Sequence, residues 1–161
     1  MMRLLKILLI IASVSLIGMV LYLLFYEVLG RPASDTPIVA YVYLSMAFIT
    51  STINIVYHIV SFQFYKRKEN VHLDKKIPKI LWIGGICFSS FLLYIGGAGL
   101  YSLFRFIQFG LEAKQLVFVS AFLIGALLGF LELSLLKKRI KKLRMKREMK
   151  DEINDIGSSI V

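Results

Sequence analysis

The sequence predicts an all-α integral membrane protein. It is a four-transmembrane-helix bundle with both termini cytoplasmic and the last helix extended into a basic amphipathic tail. Three observations predict this. Of the 161 residues, 58% are hydrophobic and the mean hydropathy is +0.74, above the roughly 45–50% apolar content of soluble domains. The apolar residues fall into four runs, Leu4–Leu29, Pro37–Tyr65, Ile80–Phe104 and Leu116–Leu136, each beyond the roughly 20 residues that cross a hydrocarbon core. None alternates as the strands of a closed barrel do. Finally, of the 20 Lys and Arg residues only Arg31, Arg105 and Lys114 fall on one side of these runs. Positive charge is retained in the cytoplasm, so the termini and the 66–76 loop face inward in a cell inner (plasma) membrane. The net charge of +10 thus belongs to a membrane face and is not a general signal for nucleic acid.

The first run follows Arg3 and Lys6 and resembles a secretory signal at its start. It continues to Leu29, well past a 7–15-residue apolar core, and reads as an uncleaved anchor. Tyr22, Phe25 and Tyr26 mark its outer end, where aromatic rings favour the headgroup layer. Glu27 and Arg31 are spaced to pair one turn apart. Thr36-Pro37 reads as the start of the second helix, with Asp35 or Thr36 capping and Pro37 at the first helical position.

The second helix is the most polar. Ser51, Asn54, His58 and Ser61 follow three-four-three spacing and share one stripe, flanked by Thr50 and Tyr57. Phe62, Phe64 and Tyr65 are expected to anchor its inner interface. Extended over Pro37–Tyr65, this helix is roughly 43 Å long, so it tilts or protrudes. The third run begins after Pro78, carries Trp82 at the inner interface, and contains Gly84, Gly85, Gly96, Gly97 and Gly99. Gly85 and Ser89 are spaced for close helix approach.

The fourth run carries Ala121, Gly125, Gly129 and Glu132 on one expected face. The three small residues are a helix-packing groove, serving either internal packing or self-association. Past Leu136 the helix continues as a basic tail, so residues 1–136 form the transmembrane domain and 137–161 the cytoplasmic tail. Leu136, Ile140 and Leu143 keep an apolar edge, and Met149, Ile153, Ile156 and Ile160 make a second. Lys137, Lys138, Arg139, Lys141, Lys142 and Arg144 are the expected contacts for anionic lipid or an anionic ligand. Such contacts contribute about 1 kcal/mol per cation near a charged surface.

Depth counting gives the sharpest site expectation. Ser13, Ser15, His58, Ser89, Ser90 and Glu132 all lie roughly 7–17 Å inside the cytoplasmic boundary at the helical rise per residue. A charge facing lipid at the bilayer centre costs at least about 2.5–3.5 kcal/mol, so Glu132 and His58 are expected to face inward. They are expected to lie near each other, in a polar layer with Asn54, Ser51 and Ser89. An imidazole beside a carboxylate is a proton- or ion-responsive site; the plainer alternative is a structural pair.

Other chemistry lacks its parts. The one cysteine, Cys87, excludes a disulfide framework or a CxxC pair, and with His58 and His72 at different depths it makes no metal site. No catalytic residues and no cofactor are expected. Arg67-Lys68-Glu69-Asn70-Val71-His72 fits the Arg-x4-His pattern of HEPN ribonucleases, but that motif needs a soluble helical domain that a short loop does not supply. Ser159-Ile160-Val161 resembles a PDZ-type ligand. In layout the chain resembles small bacterial membrane effectors. The functional expectation is therefore a self-associating, non-enzymatic channel or pore-type protein regulated through its basic tail. The alternatives are a non-conducting anchor or regulatory subunit, and a transporter or enzyme using Glu132 and His58. The expected partners are anionic lipids, further copies of the chain and a cytoplasmic protein or anionic ligand; nucleic acid is the least favoured.

Overall fold

A computed structural model describes residues 2–28, 37–65, 77–106 and 113–158. The Glu27–Arg31 pair, the 66–76 loop with its Arg67–His72 pattern, the Ile156–Ile160 edge and the Ser159–Val161 terminus lie outside the described residues and side chains.

Four helices run up and down. Helix α1 spans Met2–Leu23 and ends in a π-helical turn, Leu24–Val28. Helix α2 spans Ile38–Phe62 and tightens into a 3-10 turn, Gln63–Tyr65. Helix α3 spans Lys79–Arg105, and α4 runs unbroken over Ala113–Ser158. All four are long and apolar enough to cross a membrane. Each packs on its chain neighbour, α3 and α4 share the broadest interface, and a narrower α1–α4 contact closes the ring.

Proline sets two of the starts. Pro37 and Pro78 occupy N-cap positions, one residue earlier than the sequence predicted for Pro37. Their carbonyls accept from Ala40 at 2.9 Å and from Leu81 at 3.1 Å, and proline's missing N–H costs nothing there. Hydroxyls inside the spans are satisfied locally. Thr50 donates to the Met46 carbonyl at 2.7 Å and Thr52 to the Phe48 carbonyl at 2.8 Å, as lipid requires of any polar group.

The interior has two layers. At the end carrying Arg3, Lys79 and Lys137, hereafter the basic end, Tyr57, Phe64, Tyr65, Ile77, Leu133 and Leu136 form one cluster. Toward the opposite end Leu16, Val20, Ala47, Phe88, Phe91, Leu92 and Ala126 form another. Phe64 and Tyr65 therefore belong to the core, which corrects their expected place at the interface. Both sit in the 3-10 turn, and Arg139 and Arg3 hold their backbone carbonyls. Large apolar side chains such as Leu4, Ile11, Val39, Ile59, Ile80 and Leu127 cover the outside.

Glycine carries the tight α3 contacts. A β-carbon on Gly129 would collide with the Ser89 hydroxyl, and one on Gly85 would press Leu133 at 3.2 Å and Tyr57 at 3.4 Å. Gly125 lies against Leu92. The predicted small-residue stripe of α4 thus packs within the bundle at Gly125 and Gly129, with Gly85 of α3 also closely packed. Ala121 does not join it. The stripe drifts about 40° every four residues, which leaves Ala121 exposed beside a groove of about 230 Å³ that also touches Ala12, Leu16 and Phe88.

Candidate functional site

Between the two apolar layers lies a polar cluster built from every helix. On α1, Lys6, Leu9, Ser13, Leu16 and Val20 are the buried positions, a three-four spacing that puts them on one face. The Lys6 ammonium therefore enters the bundle and does not flank it, correcting its expected place at the surface. It meets Glu132 Oε1 of α4 at 2.5 Å, with the two side chains 0% and 1% exposed. It also donates to Ser61 Oγ of α2 at 2.5 Å and stands 5.3 Å and 5.1 Å from the ring centres of Tyr57 and Tyr65. Rings at that distance supply favourable electrostatics to a desolvated cation.

The other carboxylate oxygen is satisfied too. The Tyr57 hydroxyl donates to Glu132 Oε2 at 2.9 Å, and the ring of Trp82 tilts against Tyr57 at 5.8 Å. Tyr57 thus joins α2 to α4, a role beyond its expected position flanking the polar stripe. One turn toward the chain start, Arg3 donates twice to the Tyr65 carbonyl, at 3.0 and 2.6 Å.

All five residues expected in the polar layer, Glu132, His58, Asn54, Ser51 and Ser89, are buried. Asn54 Nδ2 donates to Ser13 Oγ at 2.9 Å, and the Ser13 hydroxyl donates to the Leu9 carbonyl, also at 2.9 Å. Ser89 donates to the Gly85 carbonyl at 3.0 Å. His58 packs its ring edge on Tyr57 at 5.0 Å. No hydrogen bond or ion pair joins it to Glu132 among the described residues, because Lys6 and Tyr57 occupy the carboxylate. His58 Nδ1 and Ser51 Oγ have no hydrogen-bond partner among those residues. Ser15 and Ser90 were expected in the layer but face outward. Each is one or two residues from a buried serine, and a helix turns such neighbours to different faces.

The basic tail divides by helical phase. Arg139 turns inward, donating to the Phe64 carbonyl at 2.7 Å and covering the Tyr65 ring at 4.8 Å. Its predicted place among the lipid or ligand contacts is corrected accordingly, because it lies on the inward edge with Leu136, Ile140 and Leu143. Lys137, Lys141 and Arg144 line a groove with Lys79 and Trp82, while Lys138 and Lys142 are exposed on another face.

No protein family model, no curated protein and no solved structure matches the chain. Among the described residues no group of His, Cys, Asp and Glu is placed to hold a metal ion. What the cluster does chemically is neutralise itself: one cation and one anion, each wrapped by hydroxyls and rings, tie α1, α2 and α4 together.

Proposed function

We propose that the chain is a non-conducting membrane anchor whose locked bundle holds the basic half of α4 at the cytoplasmic face for an acidic protein partner. Withdrawing Lys6 from the surface leaves the charge asymmetry intact, so both termini are cytoplasmic on this reading. One observation carries it. The polar cluster closes on itself at 0–2% exposure, and beyond it Leu16, Val20, Phe88, Phe91, Leu92 and Ala126 fill the interior. A path through one copy needs polar lining from end to end, and here polar lining covers one half.

The same closure weighs against an intramembrane enzyme or transporter, since Lys6 and Tyr57 cover the carboxylate a substrate must reach. An oligomeric pore gated by the tail puts its path between copies, and conduction separates it from the anchor. The full chain is reconstituted into liposomes containing a potassium- or pH-sensitive dye. The anchor gives flux equal to that of empty vesicles at every protein-to-lipid ratio. Flux that rises with that ratio overturns it in favour of the pore.

A further inference from the structure

The α3–α4 seam at the basic end carries two adjoining grooves. The upper one, about 610 Å³, is bordered by Lys79, Lys137, Lys141 and Arg144 with a single carboxylate, Glu148. The lower one, about 470 Å³, is walled by Ile86, Phe130 and Leu133 and holds the Ser134 hydroxyl. Trp82 and Lys137 line both, so the two lie side by side. None of the four cations has an ion-pair partner among the described residues. Their spacing is also selective: Lys137, Lys141 and Arg144 recur at intervals of four and three, on one face of α4.

We infer that this seam is a binding site for one anionic glycerophospholipid. Its phosphate sits among Lys79, Lys137, Lys141 and Arg144, and an acyl chain lies along Ile86, Phe130 and Leu133. Charge complementarity and shape together select this occupant. A phosphate among unpaired cations gains charge-assisted hydrogen bonds, which favours an anion over a zwitterion. A free anion fills the upper groove alone and leaves the apolar lower groove facing bulk lipid, whereas a phospholipid fills both. Ser134, one turn before Lys137, lines the lower groove with it and offers a hydroxyl to a lipid ester. The inference rests on the helices spanning a bilayer and deepens the anchor reading, because a held lipid fixes α4 where it leaves the membrane.

Trp82 is the only tryptophan, so its fluorescence reports this seam alone. The full chain is reconstituted in phosphatidylcholine vesicles containing a small fraction of either phosphatidylglycerol or phosphatidylcholine brominated near the headgroup end of the acyl chain. Quenching is expected to be stronger with the brominated phosphatidylglycerol. In the triple variant Lys79→Gln/Lys137→Gln/Lys141→Gln the preference falls by about fivefold for each cation removed, until it disappears. The variant Lys138→Gln/Lys142→Gln/Lys146→Gln loses the same net charge from another face and keeps the preference. Circular dichroism and Trp82 emission in pure phosphatidylcholine establish that both variants are folded. Equal quenching by the two lipids overturns the inference, as does equal loss in the two variants. Reversal by inorganic phosphate beyond that of sodium chloride at equal ionic strength assigns the seam to a soluble anion and overturns it as well. Flux with the lipid preference intact removes the anchor and leaves the site; silence with no preference does the reverse.

Discussion

The Lys6–Glu132 pair makes a prediction whose sign is unusual. Removing one partner strands the other charge inside the bundle, which typically costs about 3–5 kcal/mol. For Glu132→Met the loss falls at the lower end, because Lys6 keeps Ser61 at 2.5 Å and two aromatic faces. For Lys6→Met it falls at the upper end, because the carboxylate keeps only the Tyr57 hydroxyl at 2.9 Å. The double variant Lys6→Met/Glu132→Met strands no charge. Its loss is limited to the Tyr57 hydroxyl left without its acceptor, about 1–3 kcal/mol for a buried polar group, because Ser61 still donates to the His58 carbonyl at 3.2 Å. The double variant is therefore more stable than Lys6→Met alone. Unfolding free energies measured in one detergent or bicelle system, with the four proteins in a double-mutant cycle, check it. Losses that simply add, leaving the double variant the least stable of the four, refute the reasoning.

The packing of α3 on α4 predicts that Gly129→Val costs at least about 1–3 kcal/mol through overpacking. Gly97→Ala is neutral or stabilising by up to about 1 kcal/mol, since nothing lies within 4 Å of a β-carbon there; thermal unfolding of the two variants separates them. Arg139→Gln lowers stability by about 1–3 kcal/mol because it holds the buried Phe64 carbonyl. Lys138→Gln, one residue away and exposed, stays within about 0.5 kcal/mol of the parent in the same assay. His58→Leu leaves stability unchanged or raises it, because the ring nitrogen Nδ1 is buried without a partner among the described residues. A large loss in that variant shows that the imidazole is held by a group beyond them.

The helices were legible in the sequence because lipid leaves the backbone no alternative. A long unbroken apolar run must satisfy its own hydrogen bonds, so length alone identifies it. The polar stripe on α2 was legible for a related reason: Ser51, Asn54, His58 and Ser61 keep helical spacing, and all four are buried. Lys6 was not legible by position. A lysine six residues from the start of the chain resembles a flanking charge, and only charge balance distinguishes the two roles. Glu132 is an acid well inside a span and requires a cation, and Lys6 lies on the same α1 face as buried Ser13. The tail misled for a similar reason, since a run of Lys and Arg hides its phase until one asks which of them shares an edge with Leu136 and Ile140. Arg139 does.

Why a buried ion pair holds this bundle, when leucines would fill the same volume, follows from the solvent. In water an apolar side chain is driven inward; in a bilayer the acyl chains offer it an equally apolar surroundings, and burial between helices brings no hydrophobic gain. Leu16 and Val20 therefore do little to tell α1 docked in the bundle from α1 adrift in lipid. Lys6 does so decisively, because adrift it leaves Glu132 without a cation and loses Ser61 as well. The narrowness of the α1–α4 contact and the groove beside Ala121 fit this division. Close packing does the work between α3 and α4, where glycines bring the helices together, and charge does it where α1 must find α4. A pair that discriminates in this way has to be closed to solvent, and both side chains are at most 1% exposed.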